Sequence, residues 1–199
     1  MRVKAVSVMV ACLIGVLTGC GGNSQIADRP ARRQTREVSR AVELTRRAVA
    51  IAGTDPAQAE RLLLEAVAAD PFNGDARNNL GVVLLGSGRL FDAAVSFEAA
   101  RKLIPHHPDP RLNLGLTFER AGRIDDAIAA YEDAIEVRSD HVPSMQALAM
   151  CMIRHARSDT RTNALLREIA IRGETESWRS WATNVLLKHD GESRAPARE

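Results

Sequence analysis

GDARNNLGVVLLGSGRLFDAAVSFEAARKLIPHH at residues 74–107 runs without a gap into PDPRLNLGLTFERAGRIDDAIAAYEDAIEVRSDH at residues 108–141. Set one above the other, the two blocks agree at 12 of 34 places. Self-similarity at a fixed period marks a protein built from one supersecondary unit used repeatedly. Leu80-Gly81 recurs as Leu114-Gly115, Gly88-Arg89 as Gly122-Arg123, Asp92-Ala93 as Asp126-Ala127, and Ala100 as Ala134. Small residues at fixed places in helix-forming sequence mean that two helices touch there, since a larger side chain would hold them apart. Leu80, Leu84 and Phe97 fill the space between the helices of one block, and Leu114, Phe118 and Tyr131 do so in the next. Gly88 and Gly122 end the first helix of each pair, because glycine takes the left-handed conformation that follows a helix end. Each block reads as a helix pair with an uncovered apolar edge, so it must stack on a neighbour.

Leu-Gly early in a first helix, alanine about twelve residues on, then an aromatic, an alanine and a proline: this order resembles the tetratricopeptide repeat. The resemblance implies an all-α fold, a right-handed α-solenoid of stacked antiparallel helix pairs. It covers residues 36–173, and its strong motifs lie in 74–141. Upstream, Ala59, Leu63, Ala66 and Pro71 stand one period before Ala93, Phe97, Ala100 and Pro105, and Asp55-Pro56 supplies an N-cap and a first-turn proline. The first helix of that unit, read over residues 35–52, carries Arg47 where the close-packing glycine belongs. Downstream, Leu148-Ala149 and Met152 keep the register, but Ala164 and Leu165 do not both keep it. The reading is four units, at 40–73, 74–107, 108–141 and 142–173, the outer two degenerate. A capping helix at 174–188 follows, with Trp178, Trp181, Val185 and Leu186 on one side, as core packing or as a binding patch.

The N-terminus belongs to a different function. Arg2 and Lys4 precede an uncharged run at residues 5–17, too short for a membrane span, which needs about 20 apolar residues. The run ends in Leu17-Thr18-Gly19-Cys20, which resembles the lipobox of bacterial lipoproteins. That resemblance implies removal of residues 1–19, acylation of Cys20 and anchoring to the cell membrane, facing the periplasm. Gly21, where an inner-membrane retention signal commonly has aspartate, favours the outer membrane in a host that has one. Residues 20–35 then read as a flexible tether whose arginines either rest on lipid head groups or are simply solvated, and residues 190–199 as a disordered tail. Loss of Arg2 and Lys4 brings the formal charge of +2 to about zero, so the mature chain is no electrostatic trap for nucleic acid. Cys12 leaves with the signal and Cys20 is acylated. Only Cys151 remains, in an apolar helical run, and it reads as a buried, inert thiol.

Solenoids of this family bind ligands in the groove lined by their first helices. Counted around the helix from Gly81, that face holds Asp75, Asn79, Val82 and Gly86, then Asp109, Asn113, Leu116 and Arg120, then Pro143, Ala147, Met150 and Arg154. Asparagine is a mediocre helix former, so Asn79 and Asn113 one period apart ask for a reason. Some family members use an asparagine there to hold a peptide backbone, and the alternative is a strut within the repeat. Arg120 and Arg154 suit a carboxylate clamp. The expected partner is a protein or extended peptide, in pilus or secretion assembly or in envelope maintenance. The rival is a structural lipoprotein that self-associates or braces an envelope complex. His106, His107 and His141 lie in inter-unit turns whose rings are not expected to converge, so no metal is expected. No nucleophile motif, phosphate loop or carboxylate pair is present, and neither a cofactor nor catalysis is expected.

Overall fold

The computed structural model describes residues 24–157 and 159–194. The signal segment, Cys20, Gly21 and the last five residues of the tail lie outside them. Among the described residues there are nine helices and no strand: α1 (Ser24–Ile51), α2 (Pro56–Ala69), α3 (Gly74–Gly86), α4 (Leu90–Leu103), α5 (Asp109–Arg120), α6 (Ile124–Val137), α7 (Val142–Arg154), α8 (Thr160–Arg172) and α9 (Glu176–Arg194). Each odd helix from α1 to α7 packs along the even helix that follows it, and each even helix packs on the next odd one, with α9 closing the stack on α8. The result is an all-α solenoid of four helix pairs and a cap. No described helix is long and apolar enough to cross a membrane.

Local chemistry sets the boundaries. Asp55 accepts from the Gln58 N–H ahead of Pro56, Asn73 accepts from Ala76, and Asp159 forms a reciprocal capping box with Thr162. Gly88 and Gly122 take φ of +76° and +75° after the ends of α3 and α5. The equivalent residue after α7 is Ala156, at φ +52°. A side chain in the left-handed region costs about 1–2 kcal/mol. Ala156→Gly is therefore expected to raise the stability of the chain by about 1 kcal/mol, read as an upward shift of the denaturant midpoint at unchanged slope.

Two terminal readings need correction. α1 begins at Ser24, so residues 24–35 are helical and not an extended tether. Their arginines, alanines and glutamines are strong helix formers, and they extend a helix nucleated by packing further along despite the cost of Pro30 within it. For the same reason α9 continues to Arg194, past the tail boundary drawn at 190.

The core explains the small residues. Ala93, Phe97 and Ala100 of α4 and Ala127, Tyr131 and Ala134 of α6 are fully buried, with Leu80 and Leu114 nearly so. A Cβ at Gly81 would stand 2.5 Å from Phe97 Cε1, and one at Gly115 would overlap the Tyr131 ring still further. Glycine is required at both places because an aromatic ring lies directly on the helix backbone.

The outer units keep this arrangement in shifted register. The turn between α1 and α2 holds residues 52–55, one more than the 87–89 turn of the second unit. In α1 it is Ala41, Leu44 and Ala48 that join Leu63 in the core, and Arg47, one period before Gly81, is exposed. Between α7 and α8 the connection spans 155–159, two residues longer than 121–123. Thr162, Leu166 and Ile169, all fully buried, occupy the places of Ala127, Tyr131 and Ala134, and neither Ala164 nor Leu165 does so. Trp178 and Trp181 meet edge to face at 5.4 Å and, with Val185 and Leu186, pack on the cluster of Met145, Ala149, Leu166 and Ile169. The tryptophan pair belongs to the cap's core.

Candidate groove and the residues around it

The two helix layers differ in spacing. α1 touches α3, α3 touches α5 and α5 touches α7, whereas α2, α4, α6 and α8 do not approach one another as closely. The more tightly spaced layer lies on the inside of a curved stack, so the first helices line the inner face. On that face one helix position is apolar and accessible in each of the second, third and fourth units. Val82 is 44% and Leu116 37% exposed, and Met150 is half-buried. Three apolar side chains thus repeat along the groove at the period of the solenoid.

Polar groups beside this row are more engaged than their spacing suggests. Asn113 donates its side-chain N–H to Asn78 Oδ1 of the preceding unit at 3.0 Å, and Asn79 donates to the Asp75 carbonyl of its own helix at 2.9 Å. Both asparagines serve as internal struts through one amide hydrogen, leaving their carbonyl oxygens beside the groove. Arg120 donates to the Leu85 carbonyl at 3.1 Å, satisfying the end of α3, and Arg154 donates to Glu119 Oε1 at 2.5 Å. The two arginines do not form a paired clamp, because each reaches back one unit to a partner of its own.

The histidines depart from expectation in the other direction. Asp109 stands between them, with His107 Nδ1 at 3.5 Å from Oδ2 and His141 Nε2 at 3.3 Å from Oδ1. Asp109 is the first residue of α5 and so stands at the junction, where consecutive inter-unit turns share its carboxylate after all. Burial lowers the His141 pKa, and His141 Nδ1 lies 2.7 Å from Ser144 Oγ. Arg111, nearly buried, donates to Asp133 at 2.8 Å and locks α5 to α6.

Cys151 is fully buried and its thiol is pushed up to about 11 by desolvation first and by the Glu119 carboxylate second. Such a thiol is protonated and a poor nucleophile at neutral pH. Tyr131 donates its hydroxyl to Glu119 Oε2 at 3.0 Å, so a buried ring that fills the unit-three core also orients a carboxylate at the unit-four junction. Sequence spacing gave no hint of this link between Glu119 and Tyr131.

On the outer face, a cleft of about 570 Å³ opens between α6 and α8, with Leu148 and Met152 of α7 as its floor and Ile135 and Leu165 on its walls. Arg161 and Glu132, paired at 2.6 Å, are among its lining residues.

Comparison with known proteins agrees with the architecture. Tetratricopeptide repeat models match residues 49–108 and 84–151, which together make up just over half of the chain. No curated protein matches it. Among solved structures, YrrB, described as a TPR protein with an unusual peptide-binding site, is 16% identical over 84% of this chain and 85% of its own, at a TM-score of 0.60. The first TPR of Spaghetti (RPAP3), solved with an HSP90 peptide, is 15% identical over 60% of this chain and 95% of its own, at 0.56. The O-GlcNAc transferase of Thermobaculum terrenum is 24% identical over 69% of this chain, at 0.55, and this chain spans only 26% of that enzyme. Likeness at these identities is one of fold. With the matched repeats at 49–151 and the helix pairs that carry them, the chain belongs to the tetratricopeptide repeat family.

Proposed function

We propose that this chain is a membrane-anchored adaptor, without catalytic activity, that holds a partner protein or extended peptide along its inner face. The observation that carries the reading is the row Val82, Leu116 and Met150, one open or half-buried apolar side chain in each of the second, third and fourth units on the tightly spaced helix layer. An apolar row repeated at the period of the solenoid suits an extended ligand, whose side chains meet it in succession. Asn79 and Asn113 keep acceptor oxygens beside it for backbone N–H groups. YrrB and Spaghetti, similar in fold, are described with a peptide-binding site and a bound peptide, which supports the same use of this face.

Anchoring rests on the sequence: the basic head, the apolar run and Leu17-Thr18-Gly19-Cys20. An acylated Cys20 would hold the solenoid at the envelope membrane, facing the periplasm, with Gly21 favouring the outer membrane. The work of such an adaptor is assembly, in pilus or secretion machinery or in envelope maintenance. A fatty-acid probe is expected to label the wild type and not Cys20→Ser. Equal labelling of the two rules out the lipoprotein reading.

The groove is tested by Val82→Asp with Leu116→Asp. Both side chains are open to solvent, so the double variant is expected to melt close to wild type. A partner recovered by cross-linking from the native envelope should bind it at least about tenfold more weakly, since two carboxylates would be desolvated against an apolar ligand. Unchanged affinity places the partner elsewhere.

A further inference from the structure

Three side chains of different donor chemistry converge where unit three meets unit four. Glu119 lies in the last turn of α5, Cys151 in α7, and His155 immediately after α7. A carboxylate oxygen, the thiol sulfur and a ring nitrogen all lie within 4.8 Å of one another. Cys151 and His155 are four residues apart, so the chain stacks them on one side of α7. Each donor is already prepared. Cys151 is fully buried. His155 Nε2 is shielded from water and makes no hydrogen bond, although it stands 3.5 Å from Glu119 Oε1. Glu119 is oriented by the Tyr131 hydroxyl on its other oxygen, which is how outer-shell groups commonly hold a metal ligand.

We propose that Glu119, Cys151 and His155 form a zinc(II) site that ties unit three to unit four. One sulfur, one nitrogen and one oxygen donor suit a borderline cation; magnesium and calcium require oxygen donors. Zinc is bound at about 2.0–2.3 Å by each of these ligand types, in a tetrahedron whose fourth place water can take. Binding exchanges the Cys151 S–H proton for the metal and releases that proton to solvent. Arg154, whose side chain is 56% exposed, is free to swing out as the cation replaces its charge on Glu119. Because the ligands come from two units, the bound ion acts as a cross-link across the seam. The proposal does not depend on a partner occupying the groove.

The test is a cobalt(II) titration of the full chain, followed by displacement with zinc. The expected result is a near-ultraviolet thiolate-to-cobalt band that saturates at one equivalent, is lost on adding zinc, and is absent from Cys151→Ser. Zinc is expected to raise the melting midpoint of wild type. His155→Ala and Glu119→Gln, each with wild-type circular dichroism, should weaken zinc binding by at least about tenfold. Cys20→Ser, and His107→Ala with His141→Ala, should leave the band unchanged. No band in wild type, a band that survives Cys151→Ser, or unchanged zinc affinity in both His155→Ala and Glu119→Gln overturns the proposal. Each of those results leaves an ion-pair network around Glu119 only.

Discussion

Gly115→Leu lowers the stability of the folded chain by about 3 kcal/mol or more, at or beyond the upper end of what overpacking usually costs. The Tyr131 ring lies on the α5 backbone at Gly115, and even a bare Cβ would overlap it. The ring has nowhere to go. It is fully buried, and its hydroxyl is tied to Glu119 at the far end. Relief must come from parting α5 and α6, which opens the Arg111–Asp133 bond and the core between them. Gly53 supplies the control. A Cβ there meets nothing within 4 Å, and its backbone is not left-handed. Gly53→Ala should therefore stay within about 0.5 kcal/mol of wild type. Denaturant melts that rank these two the other way would contradict the register of the helix pairs.

Phe97→Ala is expected to cost about 3–5 kcal/mol, the range for an aromatic removed from a packed core. Phe97 is fully buried and joins α3 to α4 in the cluster that also holds Leu63, Leu84 and Leu114. Its loss therefore empties a space shared by three units. The same geometry predicts a strong departure from additivity. Gly81→Ala forces a methyl group against the Phe97 ring and should cost about 1–3 kcal/mol alone. In the Phe97→Ala background that methyl group enters the vacated space, so the double variant should be more stable than the sum of the two losses by about 1 kcal/mol or more. Simple additivity would mean that ring and glycine are not in contact.

The glycine–aromatic pairs were legible in the sequence because they recur at one spacing, and spacing is what a helix converts into contact. Gly81 with Phe97 and Gly115 with Tyr131 lie in blocks with turns of equal length, so counting residues was enough. The same count placed Val82, Leu116 and Met150 in one row. It failed where a turn changes length. Where the turn before α2 is longer, Ala48 and not Arg47 enters the core, and where the connection before α8 is longer, Thr162, Leu166 and Ile169 do so rather than Ala164 and Leu165. Such insertions alter neither composition nor periodicity within a helix, and only their effect on packing reveals them. The polar contacts were less legible still. Asn113 reaches Asn78, Arg120 reaches Leu85 and Arg154 reaches Glu119, each 35 residues back. These are reaches of flexible side chains across a stack, and repeat spacing does not say which of several neighbours a long side chain will choose. Asp109 between His107 and His141 belongs to the same class.

The central claim is that the inner helix layer is the binding face, and site-specific photo-cross-linking in the native envelope tests it most directly. A photoreactive residue is placed in turn at Val82, Leu116 and Met150 on the inner layer, and at Leu64, Val95 and Leu165 on the outer helices. All six positions are exposed or half-buried, so substitution at each is tolerated by the fold. The account predicts a discrete adduct with one partner from Val82, Leu116 and Met150, and none from the outer positions. Adducts from Leu64, Val95 or Leu165 with none from the inner row would contradict it, and would place the partner on the outer face.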